Sequence, residues 1–336
     1  MDARLTTLYY LVSLLALVTL CAILPAVILH LLMRAFKKRP FMQVKNYAGR
    51  TVALGLGFIW PLWGFGSLVF SAGIGLWYLS MFFRSSNSTS APPLGVLPSF
   101  VIAASVVFVF GLIDDLKGSG TSRGFKGHLK ALAHGQVTTG AVKLFGIGIT
   151  ALLFARYSVL TPSMMRISLV VWLLTILLMA GSIALSANFV NLCDLRPGRA
   201  SKVSILMLVI GLVVGVGQVL SSDVGALRTS YLITEIFQFF VFLLPVLATL
   251  RLDLRERGML GDAGANPSGF IAGAYIATHL GLIGLIVFFL IMLALNLASE
   301  KFSFTHVIER NPLLSRLDRI GRIKTVETDR EEEHTD

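Results

Sequence analysis

The feature that most constrains this chain is a succession of long apolar runs separated by short polar segments: 8–33, 51–83, 94–113, 141–160, 164–187, 203–220, 230–250 and 268–297. A helix needs about 20 mostly apolar residues to cross a bilayer, and backbone groups in lipid must bond within their own segment. The runs therefore predict an all-α, polytopic integral membrane protein of about nine transmembrane helices. Composition agrees: 55% of the 336 residues are hydrophobic, 14% are charged, and mean hydropathy is +0.79. Such a chain has too much apolar surface for a soluble domain. Residues 1–298 form the expected membrane domain, and 299–336 an amphipathic segment with an acidic tail.

The net charge of +11 would suggest nucleic acid in a soluble protein. Here the basic residues lie mainly between apolar runs, and the Lys/Arg-rich segments 34–50, 117–143, 196–202 and 251–257 all have the same parity. That is the positive-inside pattern, so no nucleic-acid partner is expected. These segments are assigned to the cytoplasm, with the N-terminus outside. The first run carries its basic cluster after the apolar stretch and is expected to be a retained helix. Run 51–83 exceeds one perpendicular crossing, so it tilts, projects or breaks near Pro61. Run 268–297 fits two short crossings that turn near 278–281. Residues 85–93 and 161–163 are expected as external loops, and Glu235 should find hydration or a polar partner near the outer surface. Cys21 and Cys193 have no metal or disulfide spacing.

Three polar constellations interrupt this pattern. Gly111-Leu-Ile-Asp114-Asp115 ends an apolar run with two adjacent carboxylates, expensive to hold in lipid unless water, a cation or a partner relieves them. Asn188, Asn191 and Asp194 advance by about 300° per step and fall within an arc of about 120° if the helix continues that far. Pro197-Gly198 then breaks the helix and sets Arg196 and Arg199 on a turn. Gly261-Asp262-Ala-Gly264 places a carboxylate between glycines, where backbone can approach a ligand and the acid can bind a hard cation. Lys126 belongs to a basic loop over 117–140 suited to a polyanion, with Lys143 opening the next helix. Singly, each constellation has a plainer reading as helix-end solvation, capping or topogenic charge. On the predicted topology all three fall on one membrane face, and acids with basic neighbours are the inventory for holding Mg²⁺ against a pyrophosphate.

In order and position these three motifs resemble the polyprenyl-phosphate N-acetylhexosamine-1-phosphate transferases, over most of residues 40–300. The resemblance implies a plasma-membrane enzyme that moves a sugar-1-phosphate from a UDP-sugar to a polyprenyl phosphate such as undecaprenyl phosphate. UMP is released, Mg²⁺ is required, and the active site is cytoplasmic. It implies Asp114 as the base acting on the lipid phosphate, Asp115 as its active-site neighbour and a metal ligand, Asp262 as the metal-binding aspartate, and Asn191 and Asp194 as the lining of the nucleotide site. Asn188, Arg196, Arg199, Lys126 and Lys143 complete the expected substrate-binding set, and a homodimer is compatible with it. The family's Asp-Gly-Leu-Asp-Gly continuation is replaced here by Asp194-Leu-Arg196-Pro197-Gly198-Arg199. The histidine-rich sugar-recognition loop is also missing, which implies a small UDP-N-acetylhexosamine over a UDP-muramoyl-pentapeptide. The other readings are a catalytically silent polyprenyl-phosphate-binding relative and a transporter; acids at span ends on one side disfavour the transporter.

Overall fold

The computed structural model describes residues 3–82, 97–117, 134–136, 138–159 and 168–323, and not the side chains of 3–7, 9–10, 74–82 and 226. Lys126, the 85–93 and 161–163 loops and the acidic tail lie outside the described residues. The chain is an all-α membrane bundle. Helix α1 (Ala3–Val18) runs through one π-helical turn (Thr19–Ile23) into α2 (Leu24–Phe36). The long helices that follow are α3 (Ile59–Phe82), α4 (Leu97–Lys117), α5 (Thr139–Ser158), α6 (Leu169–Cys193), α7 (Arg199–Ser221), α8 (Arg228–Leu254), α9 (Gly261–Thr278) and α10 (Leu282–Lys301). Two short helices, α11 (Phe304–Arg310) and α12 (Pro312–Arg319), end the described chain.

Among the described residues eight helical stretches are long and apolar enough to cross a membrane. Helix α9 is not one of them, because it is rich in Gly and Ala and carries Asp262, Asn266 and Pro267. Yet its 18 residues, at about 1.5 Å each, reach nearly across a bilayer core. Helix α9 is the buried centre of the bundle, packed most extensively on α6, then α4 and α7. An inner helix needs no apolar exterior, and small residues let its neighbours approach closely. The 268–297 run does turn at 279–281.

Two boundaries differ from the sequence reading. Run 51–83 neither breaks nor begins as helix: Thr51–Ala53 is a strand paired antiparallel with Gln43–Lys45, and one unbroken helix starts at Ile59 with Pro61 in its first turn, where no intrahelical N–H is required. Asn46 makes the turn, its side-chain oxygen accepting from the Ala48 and Arg50 N–H groups. The resulting hairpin is tied to the α8–α9 connection by a Leu54–Met259 bridge. In addition, α8 continues through Pro245. Proline removes the N–H that Val241 C=O would accept four residues back, and the Trp63 indole donates to that carbonyl instead, at 2.7 Å.

Alternation of the helices places 37–58, 194–198, 255–260 and 302–323 together at one end of the bundle. Direct contacts join these segments: Glu256 accepts from Asn46, Tyr47 and Arg50, and Arg196 pairs with Glu309. At the opposite end, Glu235 has the polar partner it needs, His279 Nε2 at 3.1 Å, with the Tyr275 hydroxyl donating to it at 3.2 Å.

Two tests follow from this architecture. An impermeant maleimide applied from one side should label Ala48→Cys, Arg257→Cys and Arg310→Cys alike, and should reach Asp223→Cys and Gly281→Cys only from the other side. Separately, Trp63→Phe should lower unfolding free energy by about 1–3 kcal/mol, because it strands a buried carbonyl. Adding Pro245→Ala, which restores the helical donor, should recover part of that loss in thermal denaturation.

Candidate active site

The site forms where α9 begins. The first N–H groups of any helix lack intrahelical acceptors and carry the positive end of its dipole. In α9 these groups are met by carboxylates from other elements. The Asp262 N–H donates to Asp115 Oδ1 and the Ala263 N–H to Asp115 Oδ2, each at 2.9 Å. The Gly261 N–H lies near enough to the Asp194 carboxylate to favour its charged form. Close approach is possible because Gly111, one turn before Asp115 on α4, has no side chain: a Cβ there would lie 2.5 Å from the Asp262 carbonyl oxygen. Gly261 takes φ +63, and a Cβ on it would lie 2.7 Å from the Asp115 carboxylate. A glycine on each side of this contact is therefore a requirement of the geometry.

Asp114, next to the capping acid, faces α5 and α9. Lys143, one turn into α5, sets its ammonium 2.7 Å from Asp114 Oδ2 and 2.5 Å from Asp262 Oδ2. Asp114 is also within hydrogen-bonding reach of Asp262 and Thr139. Two carboxylates, Asp114 and Asp262, thus converge on one ammonium at the end of the bundle, and Asp115 stands next to them, bound to the first turn of α9. Asp194, the residue that ends α6, lies beside them. Burial, then the neighbouring carboxylates of Asp253, Asp262 and Asp115, push its carboxyl well above the ordinary range, and the Gly261 N–H opposes them.

The other expected site residues are distributed unequally. Asn188 points away from the acids and donates to Asn296 Oδ1 on α10 at 2.6 Å, while Asn296 donates to the Leu185 and Met292 carbonyls. Asn191 is half-buried in the last turn of α6, one turn from Asp194. The shared helical face expected of 188, 191 and 194 does not form, since α6 ends at Cys193 and Asp194 turns toward α9. Arg196 lies over the Tyr47 ring at 4.4 Å and borders an open pocket whose wall includes Asn46, Tyr47, Asp194, Asp253 and Glu256. Arg199 is turned away from that pocket: it is 3% exposed and forks onto Asp318 of α12.

Asp253, Glu256 and Asp318 are absent from the sequence-derived set. Asp253 accepts the Gly198 N–H at 2.8 Å, and Glu256, at φ +51, gathers the hairpin tip. The Arg-Leu-Asp-Leu-Arg-Glu-Arg run of 251–257 looks like topogenic charge, and nothing local marks its acids as acceptors.

The donor set was tested against a divalent cation. Among the described residues no group of three His, Cys, Asp or Glu side chains is arranged to hold a metal. Mg²⁺, however, is ordinarily bound through one or two carboxylates together with substrate phosphates, not in an all-protein cage. Asp114 and Asp262 supply two hard oxygen donors converging on one point, where Lys143 already marks a cation-favouring position. They fit that mode. Asp115 has each oxygen engaged by an α9 N–H and serves first as a cap.

The chain matches no protein-family model, no curated protein and no solved structure in these comparisons.

The close packing predicts opposite signs for two glycine substitutions. Gly111→Ala should displace the first turn of α9 and lower stability by about 1–3 kcal/mol. Gly148→Ala on α5, where a Cβ meets nothing within 4 Å, should be neutral or stabilising by up to about 1 kcal/mol. Thermal unfolding of both variants in the same detergent checks the pair.

Proposed function

We propose that this chain is a polyprenyl-phosphate N-acetylhexosamine-1-phosphate transferase, taking the sugar-1-phosphate of a UDP-N-acetylhexosamine onto undecaprenyl or a similar polyprenyl phosphate. The observation that carries the reading is the convergence of Asp114, Asp115 and Asp262 beside Lys143 at a bundle end. A lipid phosphate anchored by its tail and a soluble nucleotide can both reach such a position. On this reading the bundle end is the cytoplasmic face, the N-terminus lies outside, and the membrane is the plasma membrane.

In the reaction a phosphate oxygen of the lipid attacks the β-phosphorus of the UDP-sugar. A new pyrophosphate bond forms as the α–β bridge breaks, and UMP leaves with the bridging oxygen. Asp114, whose carboxylate is held by side chains and not by backbone, is the group that takes a proton from the lipid phosphate. Lys143 offsets negative charge on the phosphates, and Asp115 fixes Asp262 by anchoring the turn that bears it. Asp114 and Asp262 would hold Mg²⁺, which when bound would neutralise charge on the pyrophosphate oxygens. Asp194 and Arg196 face the open pocket and are assigned to the donor.

Purified protein given UDP-N-acetylglucosamine or UDP-N-acetylgalactosamine, undecaprenyl phosphate and Mg²⁺ should release UMP and stop on chelation. Asp114→Asn, Asp115→Asn and Asp262→Asn should each lower kcat by about 10²–10⁴ while the protein stays inserted. Near wild-type turnover by all three at saturating Mg²⁺ would reject the assignment.

A further inference from the structure

The turn at 194–198 carries Asp194 and Arg196, yet it is held mainly from outside. Four side chains distant in sequence grip it or its first flanking residue. Asp253 accepts the Gly198 N–H at 2.8 Å, and Arg322 Nε donates to the Pro197 carbonyl at 3.0 Å. Glu309 pairs with Arg196 at 3.3 Å. Asp318 takes the fork of Arg199, with Nε to Oδ1 at 3.0 Å and Nη2 to Oδ2 at 2.9 Å. Three of the four belong to the segment after α10.

We propose that the C-terminal segment, α11, α12 and Arg322, is a positioning element for the 194–198 turn, with Asp318 as its pivot. This rests on the donor role given above to Asp194 and Arg196. Asp318 joins α12 to α7 and to Arg322: besides Arg199 it accepts from Arg322 Nη2 at 2.6 Å, and its own carbonyl accepts from Lys202 Nζ at 2.7 Å. Burial raises the Asp318 carboxyl, but Arg199 and Arg322 more than offset it and hold the group below the ordinary carboxylate range. It is anionic throughout neutral pH.

Helix α11 sets Phe304 edge-on against Phe189 of α6, but α12 is attached mainly through ion pairs. Leu313, Leu317 and Ile320 remain 66%, 50% and 58% exposed, so α12 contributes little hydrophobic burial to the bundle. Arg199 and Asp318, by contrast, are 3% and 9% exposed. A buried ion pair adds little net stability relative to packed apolar residues, because desolvation offsets its attraction. What it does impose is geometry, since a bidentate guanidinium–carboxylate pair has one register. A segment fixed in that way, and touching the turn at Arg196, Pro197 and Arg199, sets where Asp194 and Arg196 stand. Arg199 is then a positioning residue and not a donor contact.

The test compares Asp318→Ala, Asp318→Asn, Arg199→Ala and the Arg199→Ala/Asp318→Ala double variant in full-length protein. Two readouts are used: deuterium uptake over 194–200, and the kinetics of UMP release. Each single variant should speed exchange of the turn and raise KM for the UDP-sugar about tenfold while changing kcat by less than about threefold. The double variant should be less damaging than the sum of the singles, because both singles break the Arg199–Asp318 pair. Asp318→Asn keeps side-chain shape and should show the same effects in milder form should Asp318→Ala fail to fold. Unchanged exchange over 194–200 in Asp318→Asn and Asp318→Ala would overturn the proposal. So would a rise in KM confined to Arg199→Ala, which would make that guanidinium a donor contact. Absence of UMP release by the wild type would remove the transferase reading, while the exchange comparison would still decide whether Asp318 holds the turn.

Discussion

The arrangement depends on how α9 begins. A helix that starts inside a protein presents unsatisfied N–H groups and a positive dipole end, and leaving them unpaired would cost several kcal/mol in low dielectric. Asp115 answers two of these groups, and Asp194 lies beside the Gly261 N–H. Because the acids come from α4 and from the end of α6, the cap also fixes the axial positions of three helices. Asp114 and Asp262 are brought face to face as a result, one preceding the capping acid in sequence and the other following the capped residue Gly261.

That geometry concentrates negative charge. Asp114 and Asp262 share one ammonium, with the Asp115 carboxylate bound to the backbone beside them, and carboxylates this close are stable only with hydration, protonation or a cation. Lys143 relieves part of the repulsion and also shows where positive charge is favoured. On the proposed reading, metal and substrate would complete the charge balance of the cluster. The surrounding segments share a second design: Glu256 collects the hairpin tip, Asp253 holds Gly198 and Asp318 holds Arg199. Each acid outside the cluster organises a loop around it.

Much of the fold was legible from periodicity and charge. Run length and Lys/Arg parity fixed the helices, their alternation and the common end of the basic segments, since hydrocarbon thickness and the need for internal backbone bonding leave few alternatives. The acids of the cluster were legible too, because a carboxylate at the end of an apolar run is conspicuous. Strand 51–53 was not, since three apolar or β-branched residues before a helix read as part of the helix. Nor was the repair of Pro245 by Trp63, which joins residues 178 apart.

The sequence by itself therefore determined that this chain is an all-α membrane bundle and which acidic residues lie at its ends. Those properties follow from local composition and from the bilayer as solvent. Tertiary structure decided which polar residues meet. Asp115 became a helix cap, Lys143 a bridge between two aspartates, Asn188 a clamp to Asn296, and Arg199 a partner of Asp318. Such pairings are set by the rotation and height of helices relative to one another, and those depend on side chains packed between distant segments, which no spacing along the chain encodes.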